Sequence, residues 1–313
     1  MKIIHSFEEL HEIQHNIVIA LGTFDGIHIG HRAVINHAKQ IAISHDAVLV
    51  VGTFEAHPLS ILSPSHAPKS LALKETMYAV LDELGVQYVV SLPMTIDLLR
   101  MSAHDFMEAL SIQNNLLAVV VGENYTYGAK GLGNITTLQS YFTGTMTTVY
   151  VEPLSKWHNS DTPISSTVIR DAISCGQIEY ANELLGRAYS FTGTVIKGDQ
   201  RGRTLGFPTL NFLFPSCMVT PMDGVYANRV CIKGTWYNGV GNIGDNPTFL
   251  NQYHRCEVHV FDFDQSVYGE TVIVEFIAFL RGEEKFDSLS ALIEQMKLDE
   301  EKALRILADK NFI

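Results

Sequence analysis

The sequence predicts two domains of different class: a doubly wound parallel α/β sheet over residues 1–186, then an antiparallel β-barrel with a terminal helix over residues 187–313. Three observations carry this. The chain of 313 residues is comfortable for two cores, since one domain usually takes about 100–200. Short β-branched runs alternate with helical patterns through the first half, as strands joined by crossover helices do. After about Gly186 short strands follow one another between glycines and prolines, the spacing of a barrel.

In the first half, Asn16–Leu21, Ala47–Phe54, Gln87–Leu92, Leu116–Val121 and Thr147–Val151 read as buried strands, and Arg32–Ile43 and Lys74–Leu84 as helices between them. Val34, Ile35, Ala38, Ile41 and Ala42 fall at helical spacing and give the first helix one buried face. Sheets of this class bind ligands beyond the carboxyl ends of their strands, which singles out the loops after Leu21 and Phe54. In the second half the strands are Tyr189–Ile196, Gly224–Ile232, Trp236–Asn242, Arg255–Asp262 and Thr271–Leu280. A helix from about Asp287 carries Leu289, Leu292, Ile293 and Met296 on one face, and a second short helix is expected to restart at Asp299.

The net charge is −12, from 34 acidic and 22 basic residues, and no Lys/Arg cluster interleaves with aromatics, which argues against a nucleic-acid partner. An acidic protein that handles phosphates does so locally, through backbone N–H groups, helix N-termini, a few cations and a divalent metal. Cys175, Cys217, Cys231 and Cys256 are far apart, without metal-site spacing, and read as free thiols of a reducing cytoplasm. No apolar run approaches the roughly 20 residues of a membrane span, so no membrane partner is expected.

The strand ending at Leu21 runs into Gly22-Thr23-Phe24-Asp25-Gly26-Ile27-His28-Ile29-Gly30-His31-Arg32 and then into the first helix. A lone histidine is usually an ordinary polar residue. Two of them flanking a glycine, between strand and helix, are placed to donate hydrogen bonds to an anion held at the helix start. This segment resembles the H-x-G-H motif of the nucleotidyltransferase superfamily. Ile164-Ser165-Ser166-Thr167-Val168-Ile169-Arg170 places hydroxyls at a helix N-cap and a guanidinium one turn in. Alone it also fits a plain capped helix; with H-x-G-H it resembles the I-S-S-T-x-I-R element of bacterial FAD synthetases. Gly122-Glu123-Asn124 and Phe54-Glu55-Ala56-His57-Pro58 resemble that family too, although Ala56 stands where proline is common and the stretch Gly128–Gly133 is less basic than usual. The resemblance implies His28 and His31 as catalytic groups, and Gly22, Thr23, Phe24, Asp25, Gly30, Asn124, Ser165, Ser166, Thr167 and Arg170 as contacts to ATP and its phosphates. His57 fits a capping or a site role equally.

In the second half, the stretch from Gly193 to Asn211 holds Gly198, Asp199, Arg201, Gly202, Arg203 and Gly206, a loop able to wrap phosphates and equally able to be a hairpin connection. Gly206-Phe207-Pro208-Thr209-Leu210-Asn211 resembles the G-F-P-T-x-N element of riboflavin kinases. Thr209 and Asn211 are two apart, so an extended chain turns both to one side. By the same alternation Glu257, His259 and Phe261 share a face. The resemblance implies Thr209 and Asn211 as ligands of the Mg²⁺ of Mg-ATP and Glu257 as general base. It further implies Gly198, Asp199, Arg201, Gly202, Arg203, Gly206, Phe207, Pro208 and Arg281 as contacts to ATP or flavin. Glu257 alone fits an exposed strand position.

From about Ile17 to Leu307 the chain is similar to the bifunctional prokaryotic riboflavin kinase/FAD synthetase family, with both motif sets in family order. That resemblance implies conversion of riboflavin and ATP to FMN and ADP in the C-terminal half, then of FMN and ATP to FAD and pyrophosphate in the N-terminal half. No nucleophile accompanies the histidines, so direct in-line attack of the FMN phosphate on the α-phosphorus is expected. A protein with one active half, or a flavin-binding regulator without turnover, remains the alternative.

Overall fold

The computed structural model describes residues 1–112, 115–158, 162–198, 202, 205–245 and 254–309. Its first sheet is parallel, built from β1 (Lys2–Ile4), β2 (Ile17–Leu21), β3 (Val48–Phe54), β4 (Tyr88–Leu92), β5 (Leu116–Gly122) and β6 (Thr148–Glu152) in the order β1-β4-β3-β2-β5-β6. The central strands are apolar without alternation because both faces are covered. Ile17, Ile19 and Leu21 enter one core while Val18 and Ala20 enter the other. Helix α1 (Ile29–Ser44) buries Val34, Ile35, Ala38, Ile41 and Ala42, the five residues its period marks; α2 (Leu59–Leu62), α3 (Lys74–Glu83), α4 (Ile96–Arg100), α5 (Ala103–Ser111) and α6 (Ile135–Phe142) follow along the chain. The short edge strand β1 goes unannounced in the sequence, since three residues carry no periodic signal.

The chain leaves β2 in one direction for β3 and β4 and returns on its other side for β5 and β6. Neighbouring connections therefore diverge beyond the carboxyl ends of β2 and β5, which opens a crevice there. The segment after β2 begins at Gly22, and the one after β5 contains Asn124.

The second sheet is antiparallel: β7 (Tyr189–Thr194), β8 (Leu210–Leu213), β9 (Gly224–Ile232), β10 (Thr235–Asp245), β11 (His254–Val260) and β12 (Thr271–Arg281), ordered β7-β12-β9-β10-β11-β8. A bridge between Ile196 and Asn211 draws its two ends toward one another, so the sheet curls into a half-barrel. Inside, Phe191 packs edge-on against Phe212 and Phe214, and Phe276 against Tyr226. Gly241 lets the curl close, because a Cβ there would stand 2.7 Å from Asn228 Oδ1.

The last helix, Leu289–Ala308, is capped by the Ser288 hydroxyl and packs Ala303 against Ala227, Ala278 and Leu280 on the outer face of this sheet. It is continuous, so the restart expected at Asp299 does not occur. Asp299 lies buried mid-helix, where its carboxylate accepts from Arg281 Nε and Nη2 and from Gln295 Nε2 instead of capping a new helix.

Contacts divide the chain into two compact units, Met1–Pro68 with Met77–Ser165, and Lys69–Thr76 with Ser166–Ile313. Helices α7 (Ser166–Ser174) and α8 (Ile178–Leu185), which the sequence assigns to the first domain, thus pack in the second unit. Asn182 on α8 donates from Nδ2 to Phe276 O at 2.8 Å and accepts the Tyr189 N–H at 2.7 Å. Ser70 belongs to the same unit, exchanging backbone hydrogen bonds with Cys217 and Val219.

Candidate functional site

In the first unit the loop after β2 is shaped by strain and close packing. Phe24 and Ile27 both take left-handed φ, 47° and 43°, a costly conformation for bulky or β-branched residues that clusters at functional sites. Phe24 is buried; its ring meets His31 edge-on at 5.3 Å and fills the space that a side chain at Gly22 would need. Any contact of Phe24 to phosphate therefore runs through its backbone. The Gly22 N–H is spent on Gly52 O, and Thr23 O accepts from the Thr53 hydroxyl. Asp25 opens the short turn to Ile27.

His28 is the N-cap of α1 and its Nδ1 accepts the His31 N–H at 3.3 Å. In the neutral ring this leaves the proton on Nε2. The two imidazoles stack at 3.6 Å between centroids, with Gly30 leaving room for the His28 ring. Burial, and secondarily His28, hold His31 well below the usual imidazole pKa, so it is a neutral donor at pH 7. Its Nδ1 is shut off from solvent and has no hydrogen-bond partner among the described residues. Asn124 follows β5, its Oδ1 beside Gly122. His28, Gly30 and His31 stand at the N-terminus of a 16-residue helix, where the dipole favours an anion.

Ser165 ends the first unit, and Ser166 and Thr167 open α7 in the second. Arg170, one turn into α7, donates from Nε to Lys69 O at 2.7 Å. His57 Nδ1 accepts the Leu59 N–H, the geometry of a cap.

In the second unit Thr209, Asn211 and Glu257 come together. Strand pairing sets Asn211 of β8 opposite Glu257 of β11, with Asn242 of β10 on its other side. The Thr209 hydroxyl donates to Glu257 Oε2 at 3.3 Å, and Asn211 Nδ2 donates to Thr209 Oγ1 at 3.1 Å. Asn211 is buried, and its Oδ1 has no partner among the described residues. Gly198 lies against that amide, since a Cβ at 198 would be 2.3 Å from Oδ1.

Two cavities meet at Thr209. One, about 380 Å³, is lined by Gly198, Pro208, Asn211, Phe263 and Tyr268. The other, about 660 Å³, has Glu257 and Arg281 on its wall and Val225, Phe286, Leu292 and Met296 as apolar lining. Both volumes suit small-molecule ligands. The loop before Thr209 turns at Gly206, whose φ of 88° suits glycine, and at Gly202, whose carbonyl accepts the Phe207 N–H. Phe207 is buried, and Pro208 O accepts from His259. Arg281 is committed to Asp299 and Gly282 O, so it shapes the larger cavity as an ion-paired wall. Asp199, Arg201 and Arg203 lie outside the described residues.

Sequence reasoning missed Asn242, Phe286 and Asp299 as lining of this site, and noted His259 only for the face it shares with Glu257. The alternation of β10 and β11 was the available signal; register across strands is not written in either one.

Family models match both halves: FAD synthetase over residues 10–168 and riboflavin kinase over residues 185–307. A bifunctional riboflavin kinase/FMN adenylyltransferase of Bacillus subtilis is 37% identical over 99% of both chains, and one of Listeria monocytogenes 38% identical over 91% of both. One of Escherichia coli K12 is 31% identical over 96% of both. A crystal structure from Streptococcus pneumoniae, described as a macrolide-efflux protein, superposes with a TM-score of 0.88 at 33% identity, covering 96% of this chain and 97% of that one. Among the described residues of this chain no helix is long and apolar enough to cross a membrane.

Proposed function

The chain belongs to the bifunctional riboflavin kinase/FMN adenylyltransferase family and converts riboflavin to FMN and FMN to FAD; from that premise we propose where each reaction occurs and which groups drive it. Phosphorylation belongs to residues 187–313, with α8 packed on their strands and α7 on α8, and adenylylation to the unit of residues 1–68 and 77–165. The observation that carries the kinase assignment is the cluster of Thr209, Asn211 and Glu257 where two cavities meet. The smaller cavity, lined by Gly198, Thr209 and Asn211, takes ATP, and the larger one, with its apolar lining, takes the flavin ring.

Thr209 Oγ1 and Asn211 Oδ1, the latter without a partner among the described residues, are hard oxygen donors of the kind Mg²⁺ prefers, and they are the residues that would hold it. Bound there, Mg²⁺ supplies neutralisation of phosphate charge. Glu257 takes the proton of the ribityl hydroxyl as that oxygen bonds to the γ-phosphorus and the bond from γ-phosphorus to the bridging oxygen breaks, releasing ADP. Glu257 already accepts a hydrogen bond from a hydroxyl, that of Thr209.

In the adenylyltransferase half an oxygen of the FMN phosphate attacks the α-phosphorus of ATP and pyrophosphate leaves. His28 and His31 donate N–H groups to oxygens whose charge grows, while the loop through Gly30 and the start of α1 offers backbone N–H groups. Asn124 and Ser165 of the same unit are assigned further contacts to ATP by their donor chemistry. The four unpaired cysteines support a reducing, cytoplasmic setting.

Timed chromatography of products from riboflavin and Mg-ATP tests the assignment. His31→Ala is expected to accumulate FMN, with FAD formation down about 10²–10³-fold. Glu257→Gln is expected to lose kinase turnover by about 10²–10⁴-fold while still turning supplied FMN into FAD. Wild-type riboflavin phosphorylation by Glu257→Gln, or loss of both activities in His31→Ala, would sink it.

A further inference from the structure

Strand β8 begins at Leu210, which pairs with Val258, so the sheet ladder stops one residue short of Thr209. Pro208 has no N–H and offers only its carbonyl as a backbone handle. That carbonyl accepts from His259 Nδ1 at 2.8 Å, which puts the ring proton on Nδ1. The His259 ring also meets Phe207 edge-on at 5.4 Å. His259 and Glu257 are two apart on β11 and share its outer face. The segment 207–209 is thus tied to one strand face at two successive outward positions, His259 to Pro208 and Glu257 to Thr209.

We propose that His259 is a positioning residue of riboflavin phosphorylation, holding the Pro208 carbonyl so that Thr209 is presented to Glu257 at the junction of the two cavities. The inference rests on the kinase site assigned above. His259 takes no proton from substrate; it extends the register of β8 and β11 beyond the point where the ladder ends. Without the tie the Thr209 hydroxyl shifts, and an error near 1 Å in such a group costs about 10²-fold in rate.

Asparagine and phenylalanine separate the donor from the ring. Asn carries its amide nitrogen on Cγ, as His carries Nδ1, so His259→Asn keeps a donor at the same number of bonds from the backbone. His259→Phe keeps the ring against Phe207 and loses the donor. Expected for His259→Phe is a kcat for riboflavin phosphorylation down about 10–100-fold, an unchanged riboflavin Kd by flavin fluorescence, and FMN adenylylation at the wild-type rate. His259→Asn is expected to recover most of the kcat. His259→Ala replaces the Phe variant if that one does not fold. The proposal is overturned if the donor-less variant keeps wild-type kcat, if Asn is no better than Phe, or if only riboflavin affinity falls, which would make His259 a flavin contact. Thr209→Ala run alongside separates the two claims. Full activity there removes the kinase site itself, whereas loss there with wild-type behaviour of His259→Phe removes only the tie.

Discussion

Gly198→Ala tests the kinase site through a single added methyl group. The new Cβ would stand 2.3 Å from Asn211 Oδ1, 2.4 Å from its Cγ and 2.7 Å from Nδ2. Heavy atoms settle at about 3.5–4.0 Å, so the amide or the 198 backbone must move by more than about 1 Å. Asn211 is 5% exposed and its amide is held by Thr209, so any swing toward the smaller cavity gives up those bonds. The move disturbs the Nδ2 bonds to Thr209 O and Oγ1, at 3.3 and 3.1 Å, and carries Oδ1 away from where it would meet a metal. Overpacking of this size costs about 1–3 kcal/mol of stability, and misplacement near 1 Å costs about 10²-fold in rate. The residue needs no left-handed φ, so the effect is assigned to the methyl group. Chromatography should show FMN formation down about 10²-fold at saturating riboflavin and ATP, with FAD formation from supplied FMN unchanged. Kinase turnover within threefold of about the wild-type value, well inside that expectation, would refute the claim that Asn211 must sit where it does.

Asn182→Ala leaves the Tyr189 N–H and the Phe276 carbonyl buried without this partner, at about 1–3 kcal/mol each. A lower urea midpoint is expected for it, and a fragment starting at 187 should be less stable than one starting at 166; equal midpoints would remove α8 from the second core. Asp299→Ala strands the Arg281 guanidinium in a wall of the larger cavity, costing about 3–5 kcal/mol. Riboflavin should then bind more weakly by fluorescence titration, and unchanged affinity would show the ion pair to be idle. His31 has a folded pKa well below 6.5, so the unfolded chain takes up a proton there that the folded chain refuses. Stability therefore falls as pH drops below about 6.5 and is complete above it. Thermal midpoints at pH 7.5 and 5.5 should fall less steeply in His31→Gln than in the wild type, and parallel slopes would contradict the burial argument.

The local elements and the chemistry they carry were legible in the order of residues. The 3.6-residue period marked all five buried residues of α1, and the glycine and proline turn signals bounded β9 at Gly224–Ile232. H-x-G-H placed both histidines at a helix start, and G-F-P-T-L-N placed Thr209 beside Asn211. These are properties of neighbouring residues, and the backbone periods of 3.6 and 2 expose them directly. What faces what was decided by tertiary structure. Asn242 flanks Glu257 and His259 holds Pro208 only because strands far apart in sequence pair in one register. Asp299 looked like a helix start because a cap and a buried, ion-paired acid are the same residue type; the Arg281 that distinguishes them is 18 positions away. The helices α7 and α8 followed the first domain in sequence, yet the buried face of α8 found its partners in β7 and β12. Periodicity reports that a face is buried, and it carries no information about which surface buries it.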